Sequence, residues 1–230
     1  TVAWVPAPGG GTYGIDAIEV TQAQYAQWLA TSPSTSGQPL ACQFNGTFEP
    51  ATACLADMMC KHTGVDCKPQ PQVCVDWCDA TAYCKAMGKR LCGALGGGAL
   101  PFDGVTDAET GQWHRSCTSG GIQSFPYGDG HVQDVCNNYD SHAGGCGEGQ
   151  CSALASGAMG ECQSSVPGYE GVYDLSGNVW EWEDACLADI GKDDACRIRG
   201  SAFDVPFTNE PPGCAFLGSQ ARSTTAKANI

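Results

Sequence analysis

Residues 171–186 read Gly-Val-Tyr-Asp-Leu-Ser-Gly-Asn-Val-Trp-Glu-Trp-Glu-Asp-Ala-Cys and place four acidic groups, Asp174, Glu181, Glu183 and Asp184, within eleven residues and beside two tryptophans. The Asp-Leu-Ser-Gly-Asn segment is a turn. The chain's excess of carboxylates as a whole, 25 acidic against 11 basic residues, suits cations such as calcium, which takes oxygen ligands. A plainer role also fits: Asp174 can open an Asx turn, Glu181 can lie on a solvated strand face, and Trp180 and Trp182 can fill core.

Other chemistries find less support. His62, His114, His131 and His142 form no His-Glu-x-x-His or three-histidine cluster, so an iron or zinc centre has no visible ligands, and a lone histidine in a polar loop is expected to be solvated. Ser176 and Ser201 lack a nucleophile-elbow context, and the glycine-rich stretch at 93–98 has no following lysine to grip phosphate. Lys89 and Arg90 follow a helix and are expected to complement its dipole or pair with an aspartate. The sixteen cysteines contain no Cys-x-x-Cys, so disulfides in an oxidising compartment are expected, up to eight of them, each contributing ~3 kcal/mol. For Cys146 and Cys151 a zinc knuckle is the alternative, without ligand histidines nearby.

The elements that must position these groups are few. The 230 residues include 31 glycines and 13 prolines but only 16% charged residues, which predicts a single domain over 1–230 built from short elements and tight turns. Thr21-Gln-Ala-Gln24 is a capping box opening a helix over about 22–30, with Tyr25, Trp28 and Leu29 as core. A second helix begins at Asp76-Trp-Cys-Asp79 and stops at Gly88, with Cys74, Cys78 and Cys84 expected to staple it to loops. A third, weaker helix is predicted over about 107–115 around Trp113. Residues 31–73 and 117–170 read as long cross-linked loops.

A net charge of −14 repels phosphate backbones, so nucleic acid is excluded as a partner, and no apolar run approaches the ~18 residues needed to span a bilayer. The chain starts at Thr1 without a leader-like segment, which predicts a secreted or periplasmic product whose leader has been removed. Asn45-Gly46-Thr47 is a glycosylation sequon.

Four segments taken in order, 15–29, 73–93, 171–186 and 197–204, resemble the successive signatures of the formylglycine-generating enzyme family, the Gly-Asn-Val-Trp-Glu-Trp core being the most specific. The resemblance implies an α+β, C-type-lectin-like, loop-rich fold, and in its cysteines it looks most like a secreted bacterial branch. It further implies a calcium site at Asp174, the carbonyls of Gly177 and Val179, and Glu181. A second calcium site would draw on Asn137 and Asn138, although the matching downstream carboxylate is not evident. Catalytic relatives bind copper through two thiolates after an Arg-Gly-Gly-Ser strand. Here that strand reads Arg199-Gly200-Ser201-Ala202, Asp204 stands at the first thiolate position, and Cys214, the one catalytic candidate, follows a longer loop and is expected to be half of a disulfide.

These features imply a non-catalytic extracellular domain held by calcium and disulfides. Its expected partners are a protein or glycan ligand, or copies of itself in a surface assembly. Trp113, Phe125, Tyr127, Tyr139 and Phe207 are candidate contact aromatics. The alternative is a copper-dependent oxidase that converts a peptide cysteine to formylglycine. Because relatives continue past Ala221-Arg222 into a further strand, an open sheet edge is expected near the end of this chain, and such an edge recruits partners.

Overall fold

Alternation of apolar and polar residues builds the first element pair. In the computed structural model β1 (Val2–Pro6) pairs antiparallel with β2 (Thr12–Asp16), from Val2↔Asp16 to Pro6↔Thr12. Val5, Tyr13 and Ile15 turn into the core and Trp4 turns out. The structure describes all residues except 53, 55–65, 142–151, 208–211 and 225–227. His62, His142, Cys146 and Cys151 therefore lie outside the described residues.

Two helices form where local capping directs them. In α1 (Gln22–Leu29) the Thr21 side chain accepts from the Gln24 N–H, and Gln24 Oε1 accepts from the Thr21 N–H at 2.8 Å. Tyr25 and Trp28 pack edge to face at 5.1 Å and meet Phe48 and Tyr83. In α2 (Trp77–Ala86) Asp76 and Asp79 cap each other's N–H groups at 2.8 and 3.0 Å, and Gly88 takes the left-handed conformation (φ +72°) after the Met87 C-cap.

The third helix is displaced from its predicted span. α3 covers Gln112–Cys117 because Gly111 bridges Ala94 with extended angles (φ −100°, ψ 126°), which keeps the backbone out of helical geometry before Gln112.

The main sheet runs β5–β4–β3–β6, with β3 (Trp180–Cys186), β4 (Ala195–Arg199), β5 (Leu217–Ala221) and β6 (Ala228–Asn229). β3/β4 and β4/β5 are antiparallel, whereas β6 runs parallel to β3 with Trp180↔Ala228 and Glu181↔Asn229. The expected open edge is thus occupied beside Trp180 and Glu181. A register shift between Trp182 and Cys186 breaks the two-residue alternation, so Trp182 and Glu183 are both buried.

Five disulfides are described: Cys42–Cys78, Cys54–Cys74, Cys117–Cys214, Cys136–Cys162 and Cys186–Cys196. Cys67 is also bonded. Cys84 and Cys92 are free thiols, which corrects the expectation of eight bridges and of Cys84 as a staple. Cys84 faces the core of α2 with Trp77, Ala80 and Leu91, and burial pushes its pKa up to about 12.

The Asn45 sequon is structural. Asn45 is buried, and its Nδ2 donates to Asp79 Oδ1 at 2.7 Å, so the nitrogen a glycan would need is already committed. Burial raises Asp79 to about 7, with Asp76 adding to the rise and the Asn45 bond opposing it. Replacing Asn45 with Ala leaves a buried carboxyl short of a partner, at a cost of about 1–3 kcal/mol. The expected result is a melting midpoint several degrees lower, and mass spectrometry of protein from a glycosylating host should find Asn45 unmodified.

Candidate functional site

The 174–181 turn is assembled from three left-handed residues, Asp174 (φ +60°), Gly177 (φ +84°) and Asn178 (φ +55°). Gly177 is required there: a Cβ would lie 2.5 Å from the Asn137 carbonyl oxygen and 2.7 Å from Asn138 Oδ1. Its N–H donates to the Gly200 carbonyl at 2.7 Å, and the Asn178 N–H donates to the Asn137 carbonyl at 2.8 Å.

Asp174 is buried, and its Oδ2 accepts from the Gly157 N–H at 2.6 Å. Glu181, on β3, accepts at Oε2 from Trp113 Nε1 at 2.6 Å and is half-buried. Its position is not the solvated strand face of the plainer sequence interpretation. Both interact with a carboxylate that sequence reasoning missed, Glu19, which is 4% exposed. Its Oε2 accepts from Asn178 Nδ2 at 2.7 Å, while its Oε1 is buried without a hydrogen-bond partner among the described residues. The only signal in the sequence was an acidic residue interrupting the apolar pair Ile18 and Val20.

The three carboxyls disturb one another. Burial first, then Asp174 and Glu181, raises Glu19 well above the ordinary carboxylate range. Burial raises Asp174 to about 6, and burial together with Asp174 and Glu183 raises Glu181 to about 8, against the Trp113 bond and Arg199. Glu19 and Glu181 both line a cavity of about 360 Å³ shared with Trp4, Trp113 and Tyr173. Positive charge would relieve both the orphaned Glu19 oxygen and the mutual repulsion. No three His, Cys, Asp or Glu side chains converge as a metal cluster among the described residues.

The other candidates fall as follows. Asn137 is buried, and its Nδ2 donates to Asn178 Oδ1 at 2.9 Å and to the Ser152 carbonyl at 3.2 Å. Asn138 Oδ1 is buried without a hydrogen-bond partner among the described residues. Cys214 is bonded to Cys117, Cα–Cα 5.6 Å, and offers no thiolate, so the residues present do not fit a two-thiolate copper centre. Cys84 and Cys92 also line the 360 Å³ cavity, but burial holds both pKa values up, so they are thiols rather than thiolates.

His114 is buried rather than solvated. Burial and then Arg199 lower its pKa to about 4, so it is neutral, with Nδ1 3.2 Å from the Cys214 carbonyl. His131 is held between Asp140 (2.6 Å) and Tyr127 (3.3 Å). Lys89 pairs with Asp16 and Arg90 donates to the Leu91 and Ala94 carbonyls, in line with structural roles. Of the candidate aromatics, Trp113 is buried, and Phe125 stacks on Tyr127.

Comparison with known proteins places this geometry. Residues 11–227 match the sulfatase-modifying factor enzyme 1-like domain, and the chain belongs to that family. A mouse (Mus musculus) formylglycine-generating enzyme is 34% identical over 121 residues, 49% of this chain and 26% of the relative. The matched stretch thus spans about a quarter of that enzyme's length. The solved structure of CarF superposes with a TM-score of 0.57 at 19% identity, covering 96% of this chain and 86% of that one. PvdO from Pseudomonas aeruginosa gives 0.53 at 20% identity, covering 100% and 89%. These two establish the formylglycine-generating-enzyme fold, loop-rich with few helices and strands.

A pH dependence follows from the raised carboxyls. Folded Asp174 and Glu181 keep protons to about pH 6 and 8, whereas unfolded Asp and Glu release them near about pH 4. Between those limits the folded state binds more protons, so the stability these groups contribute is present at acid pH and lost as pH rises. Without metal, the melting midpoint should fall from pH 5 to pH 8. Glu19→Gln should raise the pH 8 midpoint and flatten the profile; a variant that melts lower than wild type at pH 8 contradicts the electrostatic account.

Proposed function

We propose that this chain is a non-catalytic, secreted member of the family, of bacterial type, whose 174–181 turn binds calcium and whose loops, fixed by that ion and by disulfides, present a surface to a protein or glycan ligand or to further copies in a surface assembly. The observation that carries the metal is the group formed by buried Glu19 and Asp174 with half-buried Glu181, whose charges raise the pKa of Glu19, one Glu19 oxygen having no hydrogen-bond partner among the described residues. When bound, calcium supplies charge neutralisation and a rigid oxygen cage. The chain's part is to aim oxygens: Gly177 and Asn178 hold the left-handed turn, and Glu19 anchors it through the Asn178 amide.

The lack of catalysis is supported by Cys214 standing in a disulfide and by Asp204 standing where relatives carry a thiolate. Secretion is supported by the described disulfides, since such bonds persist in oxidising compartments. No helix among the described residues is long and apolar enough to cross a membrane. The alternative, which the family resemblance implies, is copper-dependent oxidation of a peptide cysteine; the mouse relative's name adds only that it generates formylglycine.

Calcium at about a hundred times its Kd should add about 2.7 kcal/mol to unfolding, with magnesium giving far less because it resists an irregular cage. Asp174→Ala and Glu181→Ala should abolish the shift. Equal melting midpoints with calcium and with chelator would remove the metal from this account. Formylglycine appearing in a cysteine peptide incubated with copper-loaded protein would establish the oxidase instead.

A further inference from the structure

The main sheet ends at β6 on one side and at β5 on the other, and among the described residues β5 pairs with β4 alone. Edge strands are ordinarily guarded by charged side chains, proline or a bulge, because their outer backbone groups are open to another chain. β5 has none of these guards. Leu217-Gly-Ser-Gln-Ala221 is uncharged and free of proline, and its register with β4 runs unbroken from Leu217↔Arg199 to Ala221↔Ala195. Leu217, Ser219 and Gln220 are exposed.

The ladder itself fixes which backbone groups of β5 face outward. The Arg222 N–H donates to the Asp194 carbonyl at 2.7 Å, which continues the β4/β5 register by one residue. Ala195 turns its carbonyl the other way, to the Leu187 N–H at 2.8 Å. Pairing alternates along an antiparallel ladder, so Gly218 and Gln220 bond to β4, while Leu217, Ser219 and Ala221 turn their N–H and C=O groups away from it. Among the described residues only one of these outward groups meets a partner: the Ala221 carbonyl accepts from the Thr224 N–H at 2.8 Å, and a carbonyl oxygen can accept twice.

We propose that β5 is the contact through which two copies of this chain pair, edge to edge and antiparallel, about a two-fold axis at Ser219. An edge of open backbone groups accepts an extended strand, and this strand is its own complement. With Ser219 opposite Ser219 of the second copy and Leu217 opposite its Ala221, the outward N–H and C=O groups of all three residues are satisfied together. Charge singles out the same place: at net −14 two copies repel over most of their surface, whereas five consecutive uncharged residues set no like charges against each other. Leu217, 36% exposed, gains an apolar neighbour across the join. The inference rests on the self-assembly part of the function proposed above, gives it a contact, and uses none of the calcium ligands.

Sedimentation equilibrium of the full chain, with amide hydrogen exchange resolved by residue, tests this. A weak dimer is expected, since one short strand pair is smaller than a standard interface. Exchange at Leu217 and Ser219 should slow about tenfold between dilute and concentrated protein, while Gly218 and Gln220, already bonded to β4, change little. Ser219→Pro removes an N–H that the fold does not use, so the chain should melt as before and stay monomeric. Ser219→Lys, at an exposed position, sets two ammonium groups against each other and should weaken the dimer by about tenfold. Calcium binding is read separately, by melting, so either proposal can fail alone. A chain that is monomeric at millimolar concentration overturns the pairing, as does a dimer of unchanged strength in Ser219→Lys and folded Ser219→Pro. Protection of Leu217 and Ser219 in a monomeric chain by an added synthetic strand of residues 215–223 would make the edge a receptor for foreign strands and overturn the second copy as its occupant.

Discussion

The buried side-chain amide of Asn178 is the constraint on which the site depends. It sits in the left-handed conformation that asparagine tolerates better than most residues. Its Nδ2 donates to Glu19 Oε2 and, at 3.5 Å, to the Leu154 carbonyl, while its Oδ1 accepts from Asn137 Nδ2 and the Leu154 N–H. Its backbone N–H reaches the Asn137 carbonyl and its carbonyl accepts from Phe203 N–H at 3.0 Å. Every donor and acceptor of the side chain is used, and four distant segments are tied to one turn. An aspartate there would set a fourth carboxyl against Glu19 and lose both donors.

Charge is distributed around that turn in a revealing way. Arginines meet acids elsewhere: Arg199 lies 3.5 Å from Glu183 with both fully buried and sits 4.4 Å over Trp113, and Arg222, over Trp77, bonds the buried Asp194 and the exposed Asp189. Arg199 also donates to the Val105 and Cys214 carbonyls, so it fastens the strand end to the loop carrying the disulfide. Glu19, Asp174 and Glu181 receive no such side-chain partner in an ion pair among the described residues. Burying carboxyls without compensation is costly, and the burial raises their pKa values so that they keep protons to higher pH.

With so little regular structure, cross-links carry what ladders carry in other folds. The Cys117–Cys214 bridge closes 97 residues and Cys42–Cys78 closes 36, so both restrict the unfolded chain strongly. Cys117–Cys214 also leaves no free thiol at Cys214, and Cys42–Cys78 fastens α2 to the segment around residue 42.

Features governed by residues within a turn of one another were legible in the sequence. The capping box at Thr21, the helix start at Asp76, the Gly88 stop and the tight turn before Trp180 depend on spacings of three or four residues, and the family signatures, each contiguous in the chain, gave the fold. What only the tertiary structure decided involves long separations. Glu19 joins the site through a bond to a residue 159 positions away. Asn45 loses its availability to Asp79, 34 positions on, and α3 starts late because Gly111 bridges Ala94. Cys84 stays a thiol because the fold buries it in core. Local propensity acts over a few bonds and can be read along the chain; burial, charge neutralisation and sulfur pairing depend on which groups the whole fold brings together.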